Sequence, residues 1–456
     1  MNLRVYLPTL LGLTMFSGLQ AQDAPSPLDY RRSSMTMVLI EDDDLGKSKD
    51  LVIKSYNSYP FPDKYNIHEI ADKKFDASAI KLTDAEFLAA GFFKDTFKTP
   101  MDFLKAAKFP LRPLRYLKAD SSVAVQGPDK AELLQLKLQK YISQKNIARQ
   151  MFDTWFNRKG NDLNIKLLLE RGKYSASAEK MDDAKQAGLE ANLYEDYDLI
   201  SNTYTVFQKL NFFPNEPVAR LARDLAKAEA RKKMAAMPPA MLQKSLDQLD
   251  TVYERTKEGY TVICTSFLYQ LEWDADIAGK FKGYFLNETL KDQRGQIWDT
   301  TSIFKIKFVG KSTTSSIVTF KIGEKRTEEQ IIDLQIKRVM DNSLARLQKN
   351  HVQFRPVAPV SSAGPVTARI GMKEGIEAKQ TFEILAIEFN EFGFPRYKSV
   401  GNLKVDSKQP IWDNRIGADQ EPVLDEAGNP VTGPAFTTFA GGKKVQPSIN
   451  FLRLLK

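Results

Sequence analysis

The run from Leu133 to Phe213 constrains this chain more than any other stretch. Leu134, Leu138, Tyr141, Ile142, Ala148, Met151, Phe152 and Trp155 recur near helical spacing, and Lys137, Lys140, Lys145 and Arg149 lie mostly elsewhere. That spacing predicts one amphipathic helix over 129–157. Asn157 to Asp162 (NRKGND) would stop it, with Gly160 in the post-helical position. Ile165 to Glu170 (IKLLLE) reads as a buried strand, 175–192 as a helix and Leu199 to Leu210 as a second strand. Such an order implies an α/β layer. It carries no catalytic signature.

At 456 residues the chain is too long for one ordinary core, and four regions are expected. Residues 1–21 read as a signal peptide: Arg4, an apolar Leu7 to Leu19, and a small-residue cleavage site at Leu19-Gln-Ala21. Residues 22–125 read as an irregular N-terminal domain, with a strand at Ser33 to Ile40 and a capping box at Thr83 and Glu86. Residues 126–355 form the α/β core, interrupted by a basic helical insertion over 216–257 that Pro238-Pro239 divides. Its later elements are strands at 260–273, 301–309 and 316–322 and a helix over Glu328 to Asn350. Residues 356–456 read as a small β-barrel with strands near 366–370, 381–389, 397–405 and 449–455. The expected fold class is therefore α+β / α/β multidomain, with long amphipathic helices in the α/β core layer. No cysteine follows the leader to carry a lipid, and no later segment is apolar enough to span a bilayer. The expected location is the periplasm or the outer-membrane periphery.

Composition narrows the chemistry. The net charge of +9, from 66 basic and 57 acidic residues, is dispersed, so no nucleic-acid partner is expected. A single cysteine, Cys264, allows no internal disulfide, and with two histidines the ligands for a cysteine/histidine zinc site are missing. The acidic run Glu41 to Asp44 lacks the spaced ligands of a calcium loop and reads as a solvated turn. Gly310-Lys-Ser-Thr313 resembles the end of a phosphate loop, but Lys305 stands where its first glycine belongs, so it reads as a turn. No cofactor and no catalytic residue is assigned, and the expectation is a non-enzyme. The alternative is an exported hydrolase of glycan or peptidoglycan using carboxylates such as Glu272/Asp274 or Asp413/Glu421. Candidate partner contacts are Phe61, Tyr65 and His68 in a proline-broken loop, and Arg231, Lys232 and Lys233 in the basic helix. The partner would be an envelope protein, with weak contact to an anionic membrane or polymer as a further option.

Arg32-Ser-Ser-Met35, Pro62-Asp-Lys-Tyr-Asn66 with His68, Gly371-Met-Lys-Glu-Gly375 and Ile411-Trp-Asp-Asn-Arg415 together resemble a family of exported Bacteroidetes proteins. That resemblance implies export and no particular activity. Ala368-Arg-Ile-Gly-Met-Lys-Glu-Gly-Ile376, leading to Thr381-Phe-Glu-Ile-Leu385, is similar to small barrel modules of flagellar-assembly accessory proteins. The element order over 130–405 is similar to the curli-secretion-channel family. The acylated cysteine of that family is missing here, so pore formation is not implied. These resemblances imply a binding role in an envelope assembly.

Overall fold

Every side chain of Ser34–Glu41 (β1) except Met37 is buried, with Met35 and Leu39 packed on one side of the sheet and Val38 and Ile40 on the other. A strand apolar on both faces belongs inside a sheet covered on both sides. The computed structural model places it there; it describes residues 33–46, 48–90, 92–94, 116–118, 130–172, 197–235, 237–318, 327–389, 395–415, 435–442, 445–447 and 449–455. β1 runs parallel to Asn66–Ile67 (β2) and Lys74–Asp76 (β3). Phe92–Lys94 (β4) and Tyr116–Lys118 (β5) make a separate antiparallel pair. On its other edge β1 runs parallel to Thr203–Pro214 (β6), with Ser34 opposite Thr203. Tyr260–Leu271 (β7) and Ile306–Ile317 (β8) continue the sheet antiparallel, in the order β2-β1-β6-β7-β8.

Lys49–Asn57 (α1) lies against the Met35 face, and Asp84–Ala89 (α2) starts at the capping box formed by Thr83 and Glu86. Lys130–Gln144 (α3) and Ile147–Phe156 (α4) cover the Val38 face, flanked by Lys166–Gly172 (α5) and Tyr197–Ser201 (α6). Asn215–Lys233 (α7) and Pro239–Thr256 (α8) form a helical hairpin between β6 and β7. Ala275–Phe285 (α9) and Arg294–Thr300 (α10) complete the Val38 face, where Phe152, Phe156, Trp273, Phe281, Phe285, Trp298 and Phe304 pack ring against ring. Glu328–Asn350 (α11) covers the Met35 face through Ile332, Ile336, Val339, Met340, Leu344 and Leu347. The core is thus helices, sheet, helices.

Ala358–Ala363 (β9), Val366–Ala368 (β10), Thr381–Phe389 (β11), Pro395–Val405 (β12), Thr437–Gly441 (β13) and Asn450–Leu454 (β14) close into a barrel in the order β10-β13-β12-β11-β14-β9. The expected fold class, an α/β core followed by a small barrel, is the one found.

Four expectations need correction. Of the region expected as a separate 22–125 domain, the described segment 34–90 packs into the core: β1 sits inside the core sheet, and Lys137 and Lys140 of α3 donate to the carbonyls of Ala77 and Lys81. The 129–157 helix is two helices, because Asn146 takes a left-handed conformation (φ 49°), which asparagine tolerates. The strand expected over Ile165 to Glu170 is helix from Lys166 on, in α5, the side chain of Asn164 accepting the Lys166 N–H; a short apolar run suits a buried helix as well as a strand. The strands expected at 301–309 and 316–322 are largely one, β8, so Gly310-Lys-Ser-Thr313 is strand and not turn. The 1–21 leader, the 175–192 helix and residue Glu421 lie outside the described residues. Among the described residues no helix is long and apolar enough to cross a membrane.

Candidate interaction site

The proline-broken loop turns inward. Tyr65 is buried, stacks on Phe354 at 4.9 Å and donates its hydroxyl to the Phe354 carbonyl at 2.6 Å. His68 is fully buried under Trp155. Its Nε2 meets the Met151 carbonyl at 2.8 Å and its Nδ1 meets the Arg171 guanidinium at 3.1 Å. A carbonyl only accepts and a guanidinium only donates, so the ring is neutral with its proton on Nε2. Burial first, and the Arg171 charge second, hold the His68 pKa down at about 3. Arg171 also donates to Ser34 Oγ and the Ile67 carbonyl and lies 4.7 Å from the Trp155 ring centre. Phe61 is half-buried against the α1/α11 core. Tyr65 and His68 therefore hold the core together, and neither offers a surface to a partner.

Three of the motifs that carried the family resemblance meet at the junction of core and barrel. From the loop, Tyr59 donates its hydroxyl to Asp341 of α11 at 2.6 Å. Lys373, in the barrel turn Met372–Glu374, lies 4.0 Å from the same carboxylate and 5.8 Å from the Tyr59 ring centre. Glu374 is buried, accepts from the Gly371 N–H at 2.7 Å and from Asn414 Nδ2 at 2.9 Å, and Asn414 Oδ1 accepts from the Lys373 N–H. Burial raises the Glu374 pKa; the Lys64 charge and the two hydrogen bonds oppose that shift. Beside them Arg355 donates to Gln348 and Lys349 at the end of α11 and to Leu454 and Leu455 of the barrel, at 2.9–3.0 Å. These contacts form a latch. The sequence marked these motifs only through a resemblance, and nothing in it pointed to Asp341 or Arg355 as members of the latch.

The helical hairpin faces outward. On the side towards α8, α7 presents Ala219, Ala226 and Ala230, and α8 answers with Leu242, Leu246, Leu249 and Tyr253, all half-buried. Arg223 lies 4.2 Å from the Tyr253 ring centre and Lys227 pairs with Asp250 at 2.5 Å. Beyond that seam only Asn215, at the root, is buried in α7, and no residue of α8 is. Val218, Leu221 and Leu225, spaced three and four residues apart, stand 64%, 62% and 63% exposed on the opposite side of α7. Arg231, Lys232 and Lys233 are exposed, as expected, and Lys233 pairs with Glu229 at 2.7 Å. Next to the root, Phe213 and Ile317 flank Thr261 in one row across the sheet and both remain exposed.

Several of the other sequence candidates are held by structural contacts. Three acids of the 41–44 run meet lysines: Glu41 pairs with Lys49 and Lys74, and Asp42 and Asp44 pair with Lys209. Asp274 caps α9 by accepting the Ile277 N–H, and Asp413 holds Arg415 at 2.7 Å. Cys264 is buried, and burial raises its thiol pKa. Gly310 is needed because the His351 ring occupies the space of its missing side chain. Among the described residues no group of three or more histidine, cysteine or carboxylate side chains is placed to hold a metal ion. No protein-family model and no curated protein matches the chain.

Proposed function

We propose that the protein is a non-enzymatic component of the cell envelope that works by holding another protein against its helical hairpin. The observation that carries this reading is the stripe Val218, Leu221 and Leu225. α7 already uses one face to pack on α8, and a second apolar face left in water marks a place for a partner. Phe213 and Ile317 at the root add exposed apolar surface to the same end of the sheet. The latch joining core and barrel supplies a base from which the hairpin projects. The envelope setting rests on the signal-like leader and on the resemblance to exported proteins.

The test is affinity capture from a detergent extract of envelopes, with the wild-type chain and a Leu221→Glu/Leu225→Glu variant as baits. A protein retained by the wild type and lost by the variant is the expected result. Equal retention by both baits, or none by either, would overturn the proposal.

A further inference from the structure

Charge is segregated along the hairpin. Between Ala230 and Leu246 the chain holds Arg231, Lys232, Lys233 and Lys244 and no aspartate or glutamate. Glu229, which pairs with Lys233, and Asp247, which accepts from Gln243, bound this stretch. The other acids, Glu216, Asp224, Asp250, Glu254 and Glu258, sit in the half nearer the sheet, where Glu216 bonds Arg220 and Tyr253, and Asp250 bonds Lys227. The turn itself is methionine, alanine and proline, and Met237 and Met241 are 49% and 55% exposed. Helical rise puts this tip about 28 Å from the root of α7.

We infer that the tip docks on an anionic phospholipid surface, a contact separate from the protein partner proposed for the α7 stripe. A small convex apolar crown with basic side chains below it matches the boundary between acyl chains and anionic headgroups. The methionines enter the apolar layer while the lysines and arginine stay level with the phosphates. A bilayer accepts such a tip without a shaped pocket. A protein groove would instead require the long apolar stripe, which lies nearer the root. Each basic residue near such a surface adds attraction that salt screens.

The purified full-length chain is sedimented with vesicles of phosphatidylcholine alone and with about one third phosphatidylglycerol. Binding to the anionic vesicles only, lost at high salt, is expected. Arg231→Glu/Lys232→Glu/Lys244→Glu lowers it at least about tenfold, since three attractions become repulsions. Met237→Asp/Met241→Asp also weakens it. All five positions are exposed, and circular dichroism checks that the variants keep their helices. Leu221→Glu/Leu225→Glu leaves vesicle binding unchanged, which separates this contact from the protein partner. No binding, equal binding to neutral vesicles, or undiminished binding by the charge variant overturns the inference. So does binding that tracks retention on heparin and ignores the methionine changes, because the tip would then be a site for acidic macromolecules.

Discussion

With Nε2 committed to the Met151 carbonyl and Nδ1 to Arg171, His68 has no place for a second proton in the folded state. Its folded pKa of about 3 lies below its ordinary value of 6.5. Between those values the unfolded chain binds a proton that the folded chain refuses, so stability falls as the pH drops through that window. The slope reaches about 1.4 kcal/mol per pH unit at most, and above the window the contribution is complete. In urea unfolding across that range, the wild type loses stability more steeply than a His68→Gln variant; parallel slopes would refute this. Arg355 answers to a different measurement. Arg355→Met removes a charged donor from four carbonyls, and a loss of about 2–4 kcal/mol is expected in the same assay. Neither role was readable from the chain. His68 sits among prolines that mark a surface loop, and the arginine that fixes it lies 103 residues away.

Elements were readable where their local signals agreed. The capping box read at Thr83 and Glu86 starts α2 as expected, and the structure shows a second one, Thr327 with Gln330, at the start of α11. Helix α11 matches the predicted 328–350 span. Elements went astray where one signal had two outcomes. An apolar run served helix α5 as well as it would a strand, and a glycine in GKST lies within β8 because β8 must pass the His351 ring. The turn 371–375 shows how tightly an element can depend on a distant one. A methyl group at Gly371 would overlap the Trp412 carbonyl and lie 2.6 Å from Asn414 Oδ1. Gly371→Ala is therefore expected to lower the melting temperature by several degrees and to speed protease cleavage after α11. The same substitution at Gly364, where the added carbon meets nothing within 4 Å, serves as the control.

For the whole molecule, composition and element order gave the α/β core and the barrel, because periodicity reports which faces are buried. They did not give the sheet order. Nothing local marks β1 as the neighbour of β6, so the N-terminal segment read as its own domain. The hairpin was legible as an insertion, and the structure explains why the core tolerates it: Pro214 and Tyr260 are already paired across β6 and β7 beneath it. Replacing residues 216–257 with a short glycine linker should leave the circular dichroism of the core strands and its cooperative unfolding intact. It should abolish both proposed contacts. Collapse of the fold on that deletion would show that the hairpin is structural.

The parallel pairing of β1 with β6 also bears on how the chain acquires its structure. Ser34 must wait for Thr203, and the face of β1 that carries Met35 must wait for α11, before either is covered. A chain that emerges from its amino end first thus carries an apolar strand without its sheet partner through much of its synthesis. Long-range closure of this kind is slow and leaves the edge of β1 open to wrong pairing. The protein is expected to depend on a holding chaperone until the sheet closes.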